Sequence, residues 1–366
     1  MVIGNPPYIS SKALDKASKD LYKSLYVSAN NQMDLYALFI ELSTKLLKQQ
    51  GVSSFIVPDS LIGRSNFATI RYEIVCKRTI LKWVHINEVF ESANVASLIY
   101  VYRNQTTNDY SFQYIKAQTV ELWRANQFDQ VVIKKSVVEQ SEYYRISFSS
   151  DEENSVLLKI SKCEKLASKM IMWRGEEMGR KSSLISCKKT VSSLPILAGD
   201  NVHRYEPITC SRFIKIQDIG KSNYEKPKIL IRQLGTYINA TLDLKGCVTF
   251  QSIYNLAAKK NDISFLKYIL GLLNSKLYDF LYNIASKDKQ SFQRIILENI
   301  KTLPIPPATI AQQRSITDLV DQILSAKKAN SQADTSMLEA KIDKKVYGLY
   351  GLTKDEIGIV EGRKVH

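Results

Sequence analysis

A short motif near the start of the chain has the groups that methyl transfer to an amine requires. An apolar strand is predicted at residues 2–4, and the loop Asn5-Pro6-Pro7-Tyr8 follows it, stiffened by two prolines. Open α/β sheets place their chemistry at the carboxyl ends of strands. The exocyclic amine of adenine is a poor nucleophile, because its lone pair is delocalised into the ring. The lone pair must be localised before the amine can attack a methyl group.

Each group of this loop suits one part of that reaction. The side-chain oxygen of Asn5 and the backbone carbonyl of Pro6 can accept the two N–H hydrogens of the amine and so localise its lone pair. Tyr8 can stack on a base that has left the duplex. No ionised general base is required. A plain proline turn after a buried strand is the alternative, because short motifs also occur by chance.

The strand and its Asn-Pro-Pro-Tyr loop resemble the catalytic motif of amino-group methyltransferases, chiefly the DNA adenine-N6 enzymes of restriction-modification systems. The resemblance implies catalytic roles for Asn5, Pro6 and Tyr8, double-stranded DNA with a flipped adenine as substrate, and S-adenosylmethionine as cofactor. It also implies that Phe90, in N-E-V-F-E-S-A-N-V-A-S, covers the other face of the adenine. An ordinary core phenylalanine at a strand end is the alternative for Phe90.

The apolar spacing predicts the elements that position this loop. Helices are expected over residues 33–50 and 67–79, and a strand over residues 52–57. Two apolar runs, 81–89 and 96–102, predict an antiparallel hairpin. The run L-L-K-Q-Q-G-V-S-S-F-I-V-P also resembles the helix-strand step that follows the catalytic loop in these enzymes. We therefore expect an α/β fold with a partial Rossmann-like methyltransferase sheet, namely its fourth to seventh strands.

The glycine-rich turn that holds S-adenosylmethionine in these enzymes has no evident counterpart in the sequence. In most adenine enzymes with a C-terminal recognition domain, this turn precedes the catalytic loop. Four residues precede Asn5, and no G-x-G follows an apolar strand elsewhere. We therefore expect the carboxyl part of such an enzyme, with the cofactor pocket largely missing. The strand that ends at Asn5 should then lie at a sheet edge.

A polar break at residues 149–154 predicts a domain junction. We expect the methyltransferase part over residues 1–150, an α+β target-recognition domain over 151–306 and C-terminal helices over 307–366. A helix is expected over residues 162–172, ahead of several short strands. The pieces K-P-K-I-L-I-R-Q-L-G-T-Y-I-N-A-T-L-D and L-P-I-P-P resemble the C-terminal specificity domain of Thermus-type and type IIG enzymes.

Positive charge is concentrated in the middle of the chain. The formal net charge is +15, and residues 161–306 hold 24 Lys and Arg against 12 Asp and Glu, a net +12. Such a surface favours a polyanionic partner, and interleaved tyrosines and arginines suit contacts in a DNA groove. We expect DNA contacts at Arg180, Lys181, Lys228 and Arg232.

Composition and motif spacing argue against several other classes of protein. Five scattered cysteines and three histidines show no metal-ligand spacing, which predicts a reducing cytoplasm and no metal. No apolar run approaches the roughly 20 residues of a membrane helix, so no membrane partner is expected. Pro58-Asp59 could begin a nuclease metal site. E-x-K occurs only in the distant tail, so Asp59 is interpreted as a loop or helix-cap residue.

Two functions of different classes remain open. The first is a site-specific DNA adenine-N6 methyltransferase of a restriction-modification or phage-defence system. In this reading the chain is a fragment without its cofactor half, inactive by itself, and a separate N-terminal methyltransferase or restriction subunit is a potential partner. The second is a non-catalytic DNA-binding specificity module or gene remnant. A methyltransferase acting on protein glutamine or RNA fits less well, because those enzymes usually have little after the catalytic half, whereas 358 residues follow Tyr8.

Overall fold

The computed structural model divides the chain into two compact units. Unit 1 is Met1–Asn154 and unit 2 is Ser155–His366. The structure describes residues 1–29, 34–89, 96–179, 182–220, 223–286 and 295–363. Each unit has its own sheets and its own hydrophobic core. The predicted α/β fold class is confirmed.

Unit 1 is built around a six-stranded mixed sheet. Its strands are β1 (Val2–Gly4), β2 (Val52–Pro58), β3 (Thr79–Glu88), β4 (Ser97–Arg103), β5 (Ser111–Thr119) and β6 (Asp129–Lys134). Their order in the sheet is β1-β2-β4-β3-β5-β6. The pairs β1/β2 and β3/β5 are parallel, whereas β2/β4, β4/β3 and β5/β6 are antiparallel. The expected antiparallel hairpin is therefore present, and β1 lies at the edge of the sheet.

Aromatic side chains hold the centre of this sheet together. Phe55 pairs with Tyr100 across β2/β4, Tyr100 with Trp83 across β4/β3, and Trp83 with Tyr114 across β3/β5. All four side chains are buried. Cross-strand neighbours lie on the same face of a sheet, so these rings form one continuous row that fixes the register of four strands.

Short helices flank the sheet of unit 1. They are α1 (Lys16–Leu25), α2 (Leu35–Leu46), α3 (Ser60–Gly63), α4 (Ala68–Arg71), α5 (Val120–Arg124) and α6 (Lys135–Gln140). Helix α2 packs Tyr36 and Ile40 into the core, whereas Phe39 and Leu46, which its apolar spacing also favoured for burial, are exposed. The helix expected over residues 67–79 ends earlier, because α4 continues only as a π-helical turn over Tyr72–Cys76 and Thr79 already belongs to β3.

The described residues of unit 2 form two four-stranded sheets and one two-stranded sheet. Its strands are β7 (Glu164–Lys165), β8 (Met170–Arg174), β9 (Ile185–Ser186), β10 (Ser193–Leu197), β11 (Phe213–Lys215), β12 (Lys228–Arg232), β13 (Ala240–Asp243), β14 (Val248–Thr249), β15 (Ile253–Ala258) and β16 (Pro304–Ile305). The sheet orders are β13-β12-β15-β8, β14-β10-β11-β9 and β16-β7. The helix expected over residues 162–172 is much shorter than predicted, because only Leu166–Lys169 is helical. Its apolar end forms β8 instead, because backbone pairing with β15 overrides the local helical pattern.

The C-terminal helices share one hydrophobic cluster with the sheet that contains β12 and β15. Helix α7 (Asp151–Ser161) crosses the division between the units, and the remaining helices are α8 (Leu166–Lys169), α9 (Ile263–Leu273), α10 (Lys276–Ser286), α11 (Leu297–Lys301), α12 (Ile310–Ala329), α13 (Ser336–Leu349) and α14 (Lys354–Val360). Gly271 allows α9 and α12 to approach closely, since a Cβ there would lie 2.7 Å from Ile316 Cγ2. Among the described residues, no helix has the length and apolarity to cross a membrane.

Candidate active-site loop and nucleic-acid interface

The Asn5-Pro6-Pro7-Tyr8 loop leaves the carboxyl end of β1. Gly4 lies opposite Phe55 of β2, and a Cβ at Gly4 would lie 3.2 Å from the Phe55 ring. Pro6 is buried, whereas the neighbouring Asn5 is exposed. The loop is thus anchored by a proline and presents the Asn5 side chain to solvent.

Tyr8 is held in place by groups at the end of β2. Its hydroxyl donates to the carbonyl oxygen of Ile56 at 3.2 Å. Its ring makes an edge-to-face contact with Tyr36, with the ring centroids 6.3 Å apart, and the Tyr36 hydroxyl lies 2.8 Å from the Ser60 hydroxyl. Burial raises the pKa of the Tyr8 phenol, and a hydrogen bond with Ser97 opposes that rise. The ring stays neutral at ordinary pH and is 37% exposed, which leaves surface for stacking against a planar ligand.

A buried histidine, which no sequence motif indicated, lies near the same strand ends. His85 of β3 is fully buried, and its Nε2 is 3.9 Å from Asp59 Oδ2. Burial and the Lys116 charge lower the pKa of His85 to about 4 despite the nearby carboxylate. The imidazole is therefore neutral at pH 7. Only its place within an apolar strand could have signalled this burial.

Asp59 itself directly precedes α3, at the position of a helix cap. Its side chain makes no capping hydrogen bond, and its backbone N–H donates to Ala96 at 3.0 Å. Within the part of the chain that the structure describes, no group of three or more histidine, cysteine, aspartate or glutamate side chains is arranged to bind a metal ion. The interpretation of Asp59 as a loop residue beside a helix start fits this position.

Lys228 does not lie where a DNA backbone could reach it. Its side chain is fully buried, and its ammonium donates to Asp243 Oδ2 at 2.6 Å and to the Tyr224 carbonyl at 2.7 Å. Asp243 is buried too and accepts from the Cys247 amide at 2.8 Å. The predicted DNA contact at Lys228 is therefore wrong, because this charge is already paired inside the protein.

Arg232 is a partly exposed residue at the carboxyl end of β12. It pairs with Ile253 of β15, and Arg174 pairs with Tyr254, the next residue of β15. The two arginines thus lie at the same end of this sheet but on opposite faces, because their partners are consecutive residues of β15. The other predicted site residues, Phe90, Arg180 and Lys181, lie outside the described residues and stay predictions.

Two family models match the chain. Residues 1–90 match the Eco57I restriction-modification methylase, and residues 194–305 match the TaqI-like C-terminal specificity domain. The families that the motifs resemble are thereby confirmed. The chain is a restriction-modification methyltransferase-like protein with a specificity domain.

Individual relatives agree with this assignment. A protein of Methanocaldococcus jannaschii, named as a type II restriction enzyme and methyltransferase, is 27% identical over 379 residues, which is 96% of this chain and 31% of that protein. A type II methyltransferase of Thermus thermophilus is 27% identical over 110 residues, which is 28% of this chain and 26% of that protein. This chain thus spans about a third of the length of the Methanocaldococcus relative.

A solved structure shares the fold. It is the type IIL restriction-modification enzyme MmeI, determined in complex with DNA. The TM-score is 0.62 at 12% sequence identity, and the match covers 98% of this chain and 56% of the MmeI chain. At this identity the likeness concerns the fold alone.

Proposed function

We propose that the chain is part of a site-specific DNA adenine-N6 methyltransferase of a restriction-modification or phage-defence system. The observation that carries this proposal is the Asn5-Pro6-Pro7-Tyr8 loop at the carboxyl end of β1, with Asn5 exposed and Tyr8 anchored at Ile56. Asn5 and the Pro6 carbonyl accept the amine hydrogens of the target adenine, while Tyr8 stacks on the flipped base.

The methyl donor in this proposal is S-adenosylmethionine, which supplies an activated methyl group when bound. The residues of unit 1 do not by themselves fit this cofactor. Among its described residues, Gly4, Gly51 and Gly63 stand singly, so no glycine-rich turn leads from a strand into a helix. We infer that residues outside these 366 complete the cofactor site, either in the same polypeptide or in a separate subunit. The 31% coverage of the Methanocaldococcus relative supports this inference.

The substrate in this proposal is double-stranded DNA with one adenine flipped out. Two observations support a DNA partner: the net charge of +12 over residues 161–306, and the match of residues 194–305 to a specificity domain. The fold is also shared with MmeI, whose structure was determined with DNA. Base flipping costs a few kcal/mol, which contacts around the flipped base must offset.

The test combines this chain with the N-terminal region of the Methanocaldococcus relative, expressed as a separate polypeptide. The mixture is incubated with duplex DNA and S-adenosylmethionine, and the nucleosides are analysed by mass spectrometry. N6-methyladenine is the expected product, and it should be lost in Asn5→Ala but kept in Asn108→Ala, an exposed asparagine of the same unit. Methylation of cytosine, RNA or protein would contradict the proposal. DNA binding without any methylation, in a mixture that binds S-adenosylmethionine, would favour the non-catalytic specificity module.

A further inference from the structure

Two large apolar side chains are exposed on one short loop of unit 2. This loop, residues 233–239, joins β12 to β13 and is called the β12–β13 loop. Leu234 is 45% exposed and Tyr237 is 46% exposed. Close to the loop, Ile231 of β12 and Ala240 of β13 pair with each other and are fully buried. Exposed apolar groups on a well-packed scaffold are typical of a binding surface.

Hydrogen bonds from separate segments fix the backbone of the loop. The Gln233 amide donates to Ser252 at 3.0 Å, and the Gln233 carbonyl accepts from the Ile295 amide at 2.9 Å. The Tyr282 hydroxyl donates to the Gly235 carbonyl at 2.6 Å. The loop is therefore ordered before any ligand arrives, and binding costs it little conformational entropy.

A partly buried ion pair positions the tyrosine of the loop. The Arg204 guanidinium lies 4.5 Å from the centre of the Tyr237 ring, and its Nε donates to the Ile238 carbonyl at 2.7 Å. Arg204 also pairs with Asp279, whose carboxylate accepts from the Ile238 amide at 3.0 Å. Arg204 thus binds both the ring and the backbone of the loop, so the orientation of Tyr237 is set by residues far away in the sequence.

The charge around the loop favours a nucleic acid over a protein as the occupant. Arg232 immediately precedes the loop at the end of β12, and Arg174 ends β8 two strands away in the same sheet. Arg174 pairs with Glu177 at 3.5 Å, and its Nε donates to the Gln251 carbonyl at 2.9 Å. DNA-binding surfaces combine arginines that face phosphates with apolar side chains that contact thymine methyl groups or base steps.

We propose that the β12–β13 loop enters a groove of duplex DNA and contributes to the choice of target sequence. Leu234 and Tyr237 contact base edges, and Arg232 faces the adjacent phosphates. Arg204 and Asp279 are positioning residues that hold the tyrosine. This inference rests on the proposed function, because it assigns part of the recognition of the DNA target sequence to named residues.

The first experiment uses the full chain and a pool of randomised duplexes. Sequences bound by the wild type are enriched, and affinities for an enriched and an unselected duplex are measured by fluorescence anisotropy. Leu234→Ala and Tyr237→Ala should each weaken binding to the enriched duplex roughly 5- to 100-fold, with much less effect on the unselected duplex. Tyr237→Phe should retain most of the affinity. Leu244→Ala is the matched control, since Leu244 is 54% exposed at the opposite end of β13.

A second measurement does not depend on the folding of any variant. Enriched duplexes that carry 5-iododeoxyuridine are irradiated with the wild-type chain, and crosslinked peptides are mapped by mass spectrometry. A crosslink at Tyr237 is expected. If the wild type selects a sequence but both alanine variants bind it normally, or if crosslinks consistently avoid the β12–β13 loop, the inference is overturned and the proposed function stands. A loop that instead contacts a protein would overturn the inference alone, whereas a wild-type chain that binds no duplex DNA would overturn both.

Discussion

The ammonium of Lys228 lies 2.6 Å from the carboxylate of Asp243, and both side chains are fully buried in unit 2. A buried ion pair contributes little net stability over a neutral pair, because both charges lose their hydration. Removing one partner alone leaves an uncompensated buried charge, which typically costs about 3–5 kcal/mol.

We therefore expect Lys228→Met to lower the free energy of unfolding by about 3–5 kcal/mol at pH 7. The double variant Lys228→Met/Asp243→Asn should recover most of this loss, because asparagine is neutral and keeps an oxygen for the Cys247 amide. Urea titration measures both, with Lys245→Met as an exposed control. A Lys228→Met protein as stable as the wild type would contradict this reading of the pair.

Protonation of His85 should destabilise unit 1 at acidic pH. Its folded-state pKa is lowered from 6.5 to about 4 by burial, and secondly by the charge of Lys116. Between these pH values the unfolded chain binds the proton more readily than the folded chain. The stability contribution is therefore complete above pH 6.5 and is lost as the pH falls to 4, by roughly 3 kcal/mol in total.

The check is urea unfolding of the wild type, His85→Gln and His203→Gln between pH 4 and pH 7. His85→Gln should flatten the pH dependence, whatever its stability at pH 7. His203 is exposed, so His203→Gln should retain the wild-type slope. Equal slopes for wild type and His85→Gln would show that the histidine does not titrate as described.

Arg71 should be required to hold the backbone around Tyr143 and Tyr144 in its folded conformation. Its guanidinium is fully buried and donates to the carbonyls of Leu61 at 2.8 Å, Tyr143 at 2.7 Å and Tyr144 at 3.0 Å. Both tyrosines have positive φ, at 58° and 53°, so the backbone there needs this support. Lysine cannot reproduce the three-way contact, because its ammonium lacks the planar fork of arginine.

Arg71→Met should cost about 3 kcal/mol or more, since it leaves several carbonyls without a donor. Arg71→Lys should recover only a part. Limited proteolysis should show cleavage around residues 141–148 in Arg71→Met well before the wild type is cut. The exposed Arg103 provides the control Arg103→Met. If residues 141–148 were cleaved as fast in Arg103→Met as in Arg71→Met, the supporting role of Arg71 would be refuted.

The Asn5 loop and the hairpin beside it could be predicted from the sequence, because both depend on residues that are close together along the chain. The Asn5 loop follows β1, and the antiparallel hairpin follows from two adjacent apolar runs. Long-range pairing was not readable in the same way. Whether Lys228 faces DNA or Asp243 depends on a contact 15 residues away, and the Arg204–Asp279 pair spans 75 residues. Charge composition treats all such lysines and arginines alike.

The salt dependence of DNA binding should report how many phosphates unit 2 contacts. If about six phosphates are neutralised, log affinity should fall against log salt with a slope near −5. Arg232→Ala should make this slope shallower by about 1, whereas Lys228 is buried and contributes none. Anisotropy titrations at several salt concentrations measure the slope, with Lys341→Ala of α13 as the control. An unchanged slope in Arg232→Ala would remove this arginine from the interface.

The ring and the hydroxyl of Tyr8 should make separable contributions to methylation. Its ring is exposed for stacking, while its hydroxyl is bonded to Ile56. In the complemented enzyme, Tyr8→Ala should weaken capture of the flipped adenine by roughly 1–3 kcal/mol. Because a mismatched adenine is already loosened, methylation of a matched duplex should suffer more than that of a mismatched one.

Tyr8→Phe isolates the hydroxyl, since it keeps the ring and removes the hydrogen bonds that the hydroxyl makes with the Ile56 carbonyl and with Ser97. A neutral hydrogen bond contributes about 1 kcal/mol, so methylation of matched and mismatched duplexes should fall by similar, small factors. Single-turnover rates on both duplexes distinguish the two variants. If Tyr8→Ala slowed matched and mismatched substrates equally, the ring would act by shaping the loop around Asn5 and would not stack on the base.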